Sequence, residues 1–191
     1  LEMAFSETRS GVERIRQIVK DLKGFSRMDV EDPLECDLSE VVADATRLAE
    51  IRLKHVARLT VEVPTDLPKV FATPRRLAQV VLNLLVNAGD ALEDAKTALG
   101  EVWVRGEARG ERVVLLVEDN GPGFPPQVLS RLFEPFFTTK GPEQGTGLGL
   151  SISRELVERF GGTLQAENRS EGGARLRIEL PALSGSSDDL P

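Results

Sequence analysis

Apolar side chains recur at alternating intervals of three and four residues in the first part of the chain. The stripe consists of Phe5, Val12, Ile15, Val19 and Leu22, widened by Ile18 and Phe25. This spacing predicts a helix over residues 5–28 whose apolar face is broader than a two-stranded coiled coil requires. We expect this helix to pack in a bundle formed between chains; the alternative is a helix folded back on its own domain.

Helical and extended patterns follow one another after this first stripe. Residues 30–33 interrupt the pattern and predict a linker, and Asp37 then predicts a helix start with Glu40 as its capping-box partner. The predicted buried side of that helix is formed by Val41, Val42, Ala45, Leu48 and Ala49. Residues 58–63, RLTVEV, alternate like a half-buried strand, and the pair Val70-Phe71 predicts a brief strand pairing.

The middle of the chain carries the strongest helix signal. Thr73 and Pro74 predict a helix start, because a capping hydroxyl precedes proline at the first helical position. We expect this helix to run to about Asp94. Its predicted core stripe is formed by Leu77, Val81, Leu84, Ala88 and Ala91.

Strands and one further helix complete the predicted fold. WVRGEAR and VVLLVED predict a hairpin about a turn at 109–111. The elements predicted after it are a glycine-proline turn at 121–126, a short helix near 128–132, a helix over about 148–160, and strands at 163–168 and 174–180. This order predicts an α/β two-layer sandwich with one mixed sheet and its helices on one face. SGSSDDLP, residues 184–191, predicts a disordered tail.

Composition and charge narrow the functional classes. Hydrophobic residues make up 40% of the 191 residues and charged residues 29%, which is typical of a globular protein. The formal net charge of -7 argues against a general nucleic-acid surface, which is normally basic. A single cysteine, Cys36, excludes an internal disulfide and a multi-cysteine zinc site. The single cysteine favours a reducing, cytoplasmic location. No apolar run approaches the roughly 18 residues that span a bilayer, so we expect no direct membrane contact, although a longer parent protein can still be membrane-anchored.

Polar side chains line one stripe of the long central helix. In QVVLNLLVNAGDAL, residues 79–92, Asn83, Asn87 and Asp90 fall at i, i+4 and i+7 beside the core stripe. Asparagine is a poor interior helix residue, so two of them on one line favour a ligand. Oxygen donors with few charges suit Mg²⁺, which keeps waters and binds phosphate oxygens. The alternative is a polar stripe that faces solvent.

Three loop segments carry further candidate chemistry. VEDNGPGF, residues 117–124, ends a buried strand in Asp119, which can accept the exocyclic amine of adenine or serve only to initiate a turn. FEPFFTTK, residues 133–140, places three phenylalanines and Lys140 in a loop. This predicts that the aromatic rings dock onto the domain's own body or a partner and that Lys140 supplies a point charge for a phosphate; the alternative is a small satellite core with a solvated lysine. GPEQGTGLGL, residues 141–150, places glycines before a helix, where free amides and the helix dipole favour a phosphate over a plain tight loop.

Together, in this order and spacing, the four segments resemble the ATP-binding catalytic domain of sensor histidine kinases. This is the Bergerat fold, shared with type II topoisomerases, mismatch-repair ATPases and heat-shock chaperone ATPases. NLLVNAGDAL is similar to the family's asparagine box, DNGPGF and GTGLGL to its two glycine boxes, and FEPFFTTK to its phenylalanine box. FEPFFTTK together with GTGLGLSIS is similar to kinases of the nitrogen-regulation type. The resemblance spans about residues 37–181.

The resemblance implies a role for each matched position. Asn87 would hold Mg²⁺, with Asn83 and Asp90 near the metal and the phosphates, and Asn83, Asn87 and Lys140 would form the catalytic set. Asp119 would bind the adenine amine. The remaining cofactor-binding positions implied are Gly121, Gly123, Thr139, Gly145, Thr146, Gly147, Leu148 and Gly149. Lys140 would meet the γ-phosphate under a mobile lid drawn from about 124–146.

The resemblance also implies an organisation and a set of partners. Residues 1–32 would be the second helix of the dimerisation and phosphoacceptor hairpin with its linker, residues 33–183 the catalytic domain, and residues 184–191 a tail. The implied reaction moves the γ-phosphoryl of ATP to a histidine on a hairpin helix outside this fragment, and then to an aspartate of a response-regulator receiver domain. The parent protein would be a homodimer that binds ATP and releases ADP.

Two positions depart from the family pattern, and other functions stay open. Ala174 stands where many relatives carry Ser or Thr, so a hydroxyl contact to the base is not expected. His55, the only histidine, lies in a different helix from the family's phosphoacceptor, so we expect no autophosphorylation of this chain. The alternatives are a chaperone, mismatch-repair or topoisomerase ATPase of the same fold, and a non-enzymatic nucleotide-sensing or dimerising scaffold.

Overall fold

A computed structural model describes residues 32–141 and 145–183 of the chain. The predicted helix over 5–28 and the predicted tail at 184–191 lie outside the described residues. In chain order, the described elements are β1 (Leu34–Cys36), α1 (Leu38–Leu53), β2 (Ala57–Glu62), β3 (Val70–Ala72), α2 (Pro74–Asp94), β4 (Gly100–Arg109), β5 (Arg112–Asp119), α3 (Pro126–Leu129), α4 (Gly149–Arg159), β6 (Thr163–Asn168) and β7 (Ala174–Pro181).

The main sheet has five strands in the order β2–β4–β5–β7–β6. β2 and β4 run parallel, whereas the other neighbours run antiparallel, so the predicted mixed sheet is confirmed. A second, two-stranded sheet pairs β1 with β3 in antiparallel orientation. The sequence missed β1, because three residues between a predicted linker and a predicted helix are too few to show an alternating pattern.

The three longer helices cover one face of the main sheet. α2 packs against α1, α4, β4 and β5, and forms the centre of this layer. Leu77, Val81, Leu84 and Ala88 are buried as predicted. Ala91 was predicted to join this stripe but is only half-buried, because it faces a cleft beside α4. The predicted two-layer sandwich, with its helices on one face, is therefore confirmed.

The ends of the helices follow the sequence signals closely. The Asp37 side chain accepts a hydrogen bond of 2.7 Å from the Ser39 amide, so the predicted start of α1 is confirmed. α2 begins at Pro74 and ends at Asp94 as predicted, although the N-cap residue Thr73 makes no side-chain capping hydrogen bond. Leu48 of α1 was predicted to be buried, but it is 57% exposed because the buried stripe of α1 is narrower than the sequence suggested.

Alternation along β5 decides which of its side chains reach the helices. Val113, Leu115 and Val117 are buried in the hydrophobic core between the sheet and the helices. Asp119 follows them on the same face, whereas Glu118 points to the opposite face. The short helix α3 begins and ends earlier than the predicted 128–132. Within the described ranges, no helix is both long enough and apolar enough to cross a bilayer.

Candidate functional site

A cleft of about 630 Å³ opens between α2, α4 and the loop that joins α3 to α4. One wall is the polar stripe of α2. The other walls are the end of the phenylalanine segment, residues 133–140, and the glycine segment, residues 145–150. The predicted site residues that line it are Asn83, Asn87, Asp90, Thr139, Lys140, Gly145, Thr146, Gly147 and Gly149. Four predicted positions, Asp119, Gly121, Gly123 and Leu148, do not line this cleft. Residues as far apart in sequence as Asn83 and Gly149, which are 66 positions apart, thus converge on one place.

The lysine of the phenylalanine segment lies on the polar stripe of α2. Lys140 Nζ is 2.6 Å from Asp90 Oδ2 and donates a hydrogen bond of 3.2 Å to Asn87 Oδ1. The side chains of Lys140 and Asp90 are 21% and 18% exposed, so water screens this pair less than a surface pair. Lys140 is therefore not the solvated lysine of the satellite-core alternative.

Arg52 of α1 extends this charged cluster away from the cleft. Arg52 Nη2 lies 2.9 Å from Asp90 Oδ1 and 2.6 Å from Glu93 Oε2. Asp90 thus has a cation on each carboxylate oxygen. Arg52 was not predicted from the sequence, because only the packing of α1 on α2 brings this position beside Asp90.

Asn83 contacts the start of α4 and not the lysine. Its Nδ2 donates a hydrogen bond of 3.0 Å to Oγ of Ser153, which is 3% exposed. A Cβ atom at Gly149 would lie 2.6 Å from Asn83 Oδ1, so any larger residue there would have to displace the Asn83 side chain. Asn83 therefore fixes the position of the first turn of α4. Ser153 is a second functional candidate that the sequence analysis missed.

The glycine segment is shaped by close backbone packing. Gly147 has φ +69°, and a Cβ there would lie 2.4 Å from the backbone of Phe136. Phe136 is itself left-handed, at φ 65°, and 64% exposed. Phe133 packs against the main core and Phe137 lines the cleft. Phe133 therefore docks onto the domain's own body, one of the two predicted outcomes, whereas docking of the exposed Phe136 onto a partner stays a prediction.

Asp119 lies at the end of β5 and is held rigidly from its own loop and from β7. Its Oδ1 accepts hydrogen bonds from the amides of Gly121, at 2.8 Å, and Ala174, at 3.2 Å. Burial raises the pKa of the Asp119 carboxyl, and these two hydrogen bonds and the charge of Arg169 offset part of that rise. Gly121 is thus part of a turn that Asp119 organises, and Ala174 acts through its backbone.

Two asparagines that the sequence analysis did not single out hold the loop after β5. Asn120 Oδ1 accepts from the Glu101 amide and its Nδ2 donates to the Leu99 carbonyl. Asn168 Oδ1 accepts from the Phe124 amide at 2.7 Å, and its Nδ2 donates to the Phe124 carbonyl at 2.8 Å. Side-chain amides therefore tie both ends of the segment that contains Gly121 and Gly123 to neighbouring strands.

The donor set on α2 suits a cation that prefers oxygen ligands. Lys140 places an ammonium group on Asn87 Oδ1 and Asp90 Oδ2, so these oxygens already face a positive charge. The described residues contain no group of three or more His, Cys, Asp or Glu side chains that could hold a metal. A metal here would therefore be bound by one or two protein oxygens and by ligand oxygens, which is how proteins usually bind Mg²⁺.

Comparison with known proteins gives a consistent set of relatives. Residues 72–184 match the family described as histidine kinase-, DNA gyrase B- and HSP90-like ATPases. The two-component sensor PprA of Pseudomonas aeruginosa is 40% identical over 180 residues, which cover 90% of this chain and 19% of that protein. The chain thus spans about a fifth of the length of this curated relative.

Solved structures resemble the fold over most of the described residues. The catalytic domain of histidine kinase ThkA superposes with a TM-score of 0.68 at 33% identity, covering 79% of this chain and 96% of that one. ThkA in complex with the response regulator TrrA gives a TM-score of 0.71 at 28% identity, covering 91% of this chain and 48% of that one.

Proposed function

The chain belongs to the family of histidine kinase-, DNA gyrase B- and HSP90-like ATPases, as the ATP-binding catalytic domain of a sensor histidine kinase. On that premise we propose that the cleft between α2 and α4 binds Mg²⁺-ATP. The observation that supports this assignment is the convergence of Lys140, Asn87 and the first turn of α4 on one cleft. A cation, an amide oxygen and free helix amides together match a metal-bound polyphosphate.

The base is assigned to the neighbourhood of Asp119. Both hydrogen bonds that its carboxylate makes within the described residues fall on Oδ1. Oδ2 is therefore the oxygen assigned to the exocyclic amine of adenine. An ionised carboxylate only accepts hydrogen bonds, so guanine and hypoxanthine, which carry a carbonyl at the same position, are disfavoured.

The phosphates are assigned to the glycine segment and Lys140. Amides at the start of α4 lack intrahelical partners, and the helix dipole favours an anion beside them. Asn83 holds this helix start against α2 through Ser153, so the amides keep their direction when the ligand binds. Lys140 would leave Asp90 and Asn87 for the terminal phosphate, which frees the Asn87 oxygen for the metal. When bound, Mg²⁺ would neutralise phosphate charge and orient the phosphates.

The reaction assigned to the parent protein is protein-histidine phosphorylation. The chain's residues would position the γ-phosphoryl and stabilise its charge, which accounts for most catalysis in phosphoryl transfer. His55 is exposed in the turn after α1, one residue past the helix C-cap, and does not line the cleft, so the acceptor is assigned to a hairpin helix outside residues 1–191. From that histidine the phosphoryl would pass to a response-regulator aspartate, within a homodimeric parent.

A transfer assay tests this proposal. The 191-residue chain is mixed with γ-labelled ATP, Mg²⁺ and a separately prepared hairpin segment of the parent that carries its histidine. We expect acid-labile, base-stable label on the segment, and none when that histidine is replaced by glutamine. A Lys140→Met variant should bind ADP with similar affinity but transfer label far more slowly. Binding of ATP without any transfer would favour the scaffold alternative and contradict the kinase assignment.

A further inference from the structure

A charged cluster lies on the face of the sheet opposite the helices, directly behind the proposed base site. Its centre is Glu118 of β5, whose side chain is 1% exposed. Three arginines surround it: Arg105 of β4, Arg175 of β7, and Arg169 of the turn between β6 and β7. A buried carboxylate requires such partners, because an unpaired buried charge is strongly destabilising.

The three arginines are not equivalent. Arg105 Nη1 donates to Glu118 Oε2, and Arg175 Nε donates to Oε1 at 2.7 Å. Arg169 Nε lies 3.5 Å from Oε1 without hydrogen-bond geometry, so its link to Glu118 is an ion pair only. The Arg169 guanidinium instead stacks on the Trp103 ring, 4.6 Å from the ring centroid, with its side chain 13% exposed.

Arg169 makes one contact that its neighbours do not make. Its Nη1 donates a hydrogen bond of 3.0 Å to the backbone carbonyl of Asp119. The β5–β7 ladder ends one residue earlier, at the pair of Glu118 and Arg175. Arg169 therefore holds the first backbone carbonyl of β5 beyond that ladder, at the residue whose carboxylate is assigned to the base.

We propose that Arg169 is a positioning residue for base recognition, which holds the Asp119 backbone from the outer face of the sheet while Glu118 and Trp103 hold the guanidinium. The inference deepens the proposed function and rests on it. Arg169 touches no nucleotide in this scheme; it limits rotation of the Asp119 backbone and thereby fixes the direction in which the carboxylate faces the base. The planar guanidinium of arginine is needed at this position, because it can stack on the Trp103 ring and at the same time donate, in its own plane, to the Asp119 carbonyl.

Arg169→Lys tests the inference with little danger to the fold. Lysine keeps the positive charge beside Glu118, and Glu118 also retains its hydrogen bonds from Arg105 and Arg175. Arg105→Lys is the matched control, because Arg105 contacts the same Glu118 and lies 5.7 Å from the centroid of the same Trp103 ring, whereas the hydrogen bond to the Asp119 carbonyl comes from Arg169. The measured quantity is the ratio of the Kd for ITP to the Kd for ATP in Mg²⁺, with the thermal midpoint recorded for each variant.

The expected result separates positioning from stability. Arg169→Lys should lower the ITP-to-ATP ratio about 3- to 10-fold, chiefly by weakening ATP, which corresponds to part of one hydrogen bond. Arg105→Lys should leave the ratio unchanged even where the thermal midpoint falls. An unchanged ratio in Arg169→Lys, or an equal fall in Arg105→Lys, overturns the inference alone. A wild-type chain that binds ATP no better than ITP overturns the base assignment, and the inference with it.

Discussion

Replacing Asp119 by asparagine changes the assigned base contact while keeping the shape of the side chain. In the wild type, Oδ1 accepts hydrogen bonds from the Gly121 and Ala174 amides. In Asp119→Asn the amide oxygen must take this place, since the amide nitrogen cannot accept from two N–H donors. The NH₂ group then takes the place of Oδ2 and faces the exocyclic amine of adenine. The asparagine NH₂ group and the adenine amine, both donors, therefore face each other where Oδ2 of the wild type accepted from the amine.

The size of the effect follows from the hydrogen bond that is lost. A hydrogen bond to a charged group contributes about 1.5–3 kcal/mol, so the Kd for ATP should rise about 10- to 150-fold. ITP should lose much less, because its carbonyl at the same position accepts from the new NH₂ group. Stability should hold or increase, because burial raises the pKa of Asp119 and its ionised form is therefore costly in the fold.

Isothermal titration calorimetry with ATP and with ITP in Mg²⁺ measures both affinities, and a thermal melt measures the stability. Asp94→Asn is the control, because Asp94 is an exposed carboxylate that lines the cleft and is assigned no base contact. We expect it to change either Kd by less than about 2-fold. A folded Asp119→Asn variant that keeps the wild-type preference for ATP would refute the assignment of Asp119 to the base.

Four further predictions concern the metal, the salt bridges, the core and pH. Asn87→Ala should weaken ATP binding about 10-fold in Mg²⁺ but not in EDTA, by calorimetry. Arg52→Ala should lower the free energy of unfolding by about 1 kcal/mol or less, since Arg52 is 46% exposed. Leu84→Ala should lower it by about 2–5 kcal/mol in a denaturant titration, because Leu84 is fully buried. Burial raises the pKa of Asp119, so ATP affinity should fall as the pH is lowered through that pKa, because the carboxylate that accepts the adenine amine becomes protonated. The stability that Asp119 contributes should be lost as the pH rises through the same pKa, because the buried carboxyl then ionises. Asp119→Asn should show neither change.

The elements that the sequence predicted are those with strong local signals. Thr73 and Pro74 fixed the start of α2, and hydrophobic spacing fixed its buried face. β1 was not predicted, because it is defined by its pairing with β3, and the paired residues are 34 to 38 positions apart in sequence. Leu48 was misassigned because apolar character shows that a residue can be buried, whereas only the neighbouring elements decide whether it is.

The candidate site divides in the same way. The polar stripe on α2, the glycine segment and Lys140 are short motifs, and the structure brings them to one cleft. The contacts that hold them together are long-range, such as Asn83 with Ser153, 70 residues apart, and Arg169 with Asp119, 50 residues apart. Ser153 and Arg169 stand in no recognisable pattern, so no property of the sequence alone identifies them as partners of site residues.

The location of the nucleotide is the central claim, and amide chemical shifts test it most directly. A ¹⁵N-labelled 191-residue chain is titrated with ADP and a non-hydrolysable ATP analogue in Mg²⁺, and the shifts are mapped by residue. We expect saturable changes concentrated on the amides of Gly121, Gly147 and Gly149, with the outer face of the sheet unaffected. A folded chain whose shifts stay unchanged, or change mainly around Trp103 and Arg177 on that outer face, would contradict it.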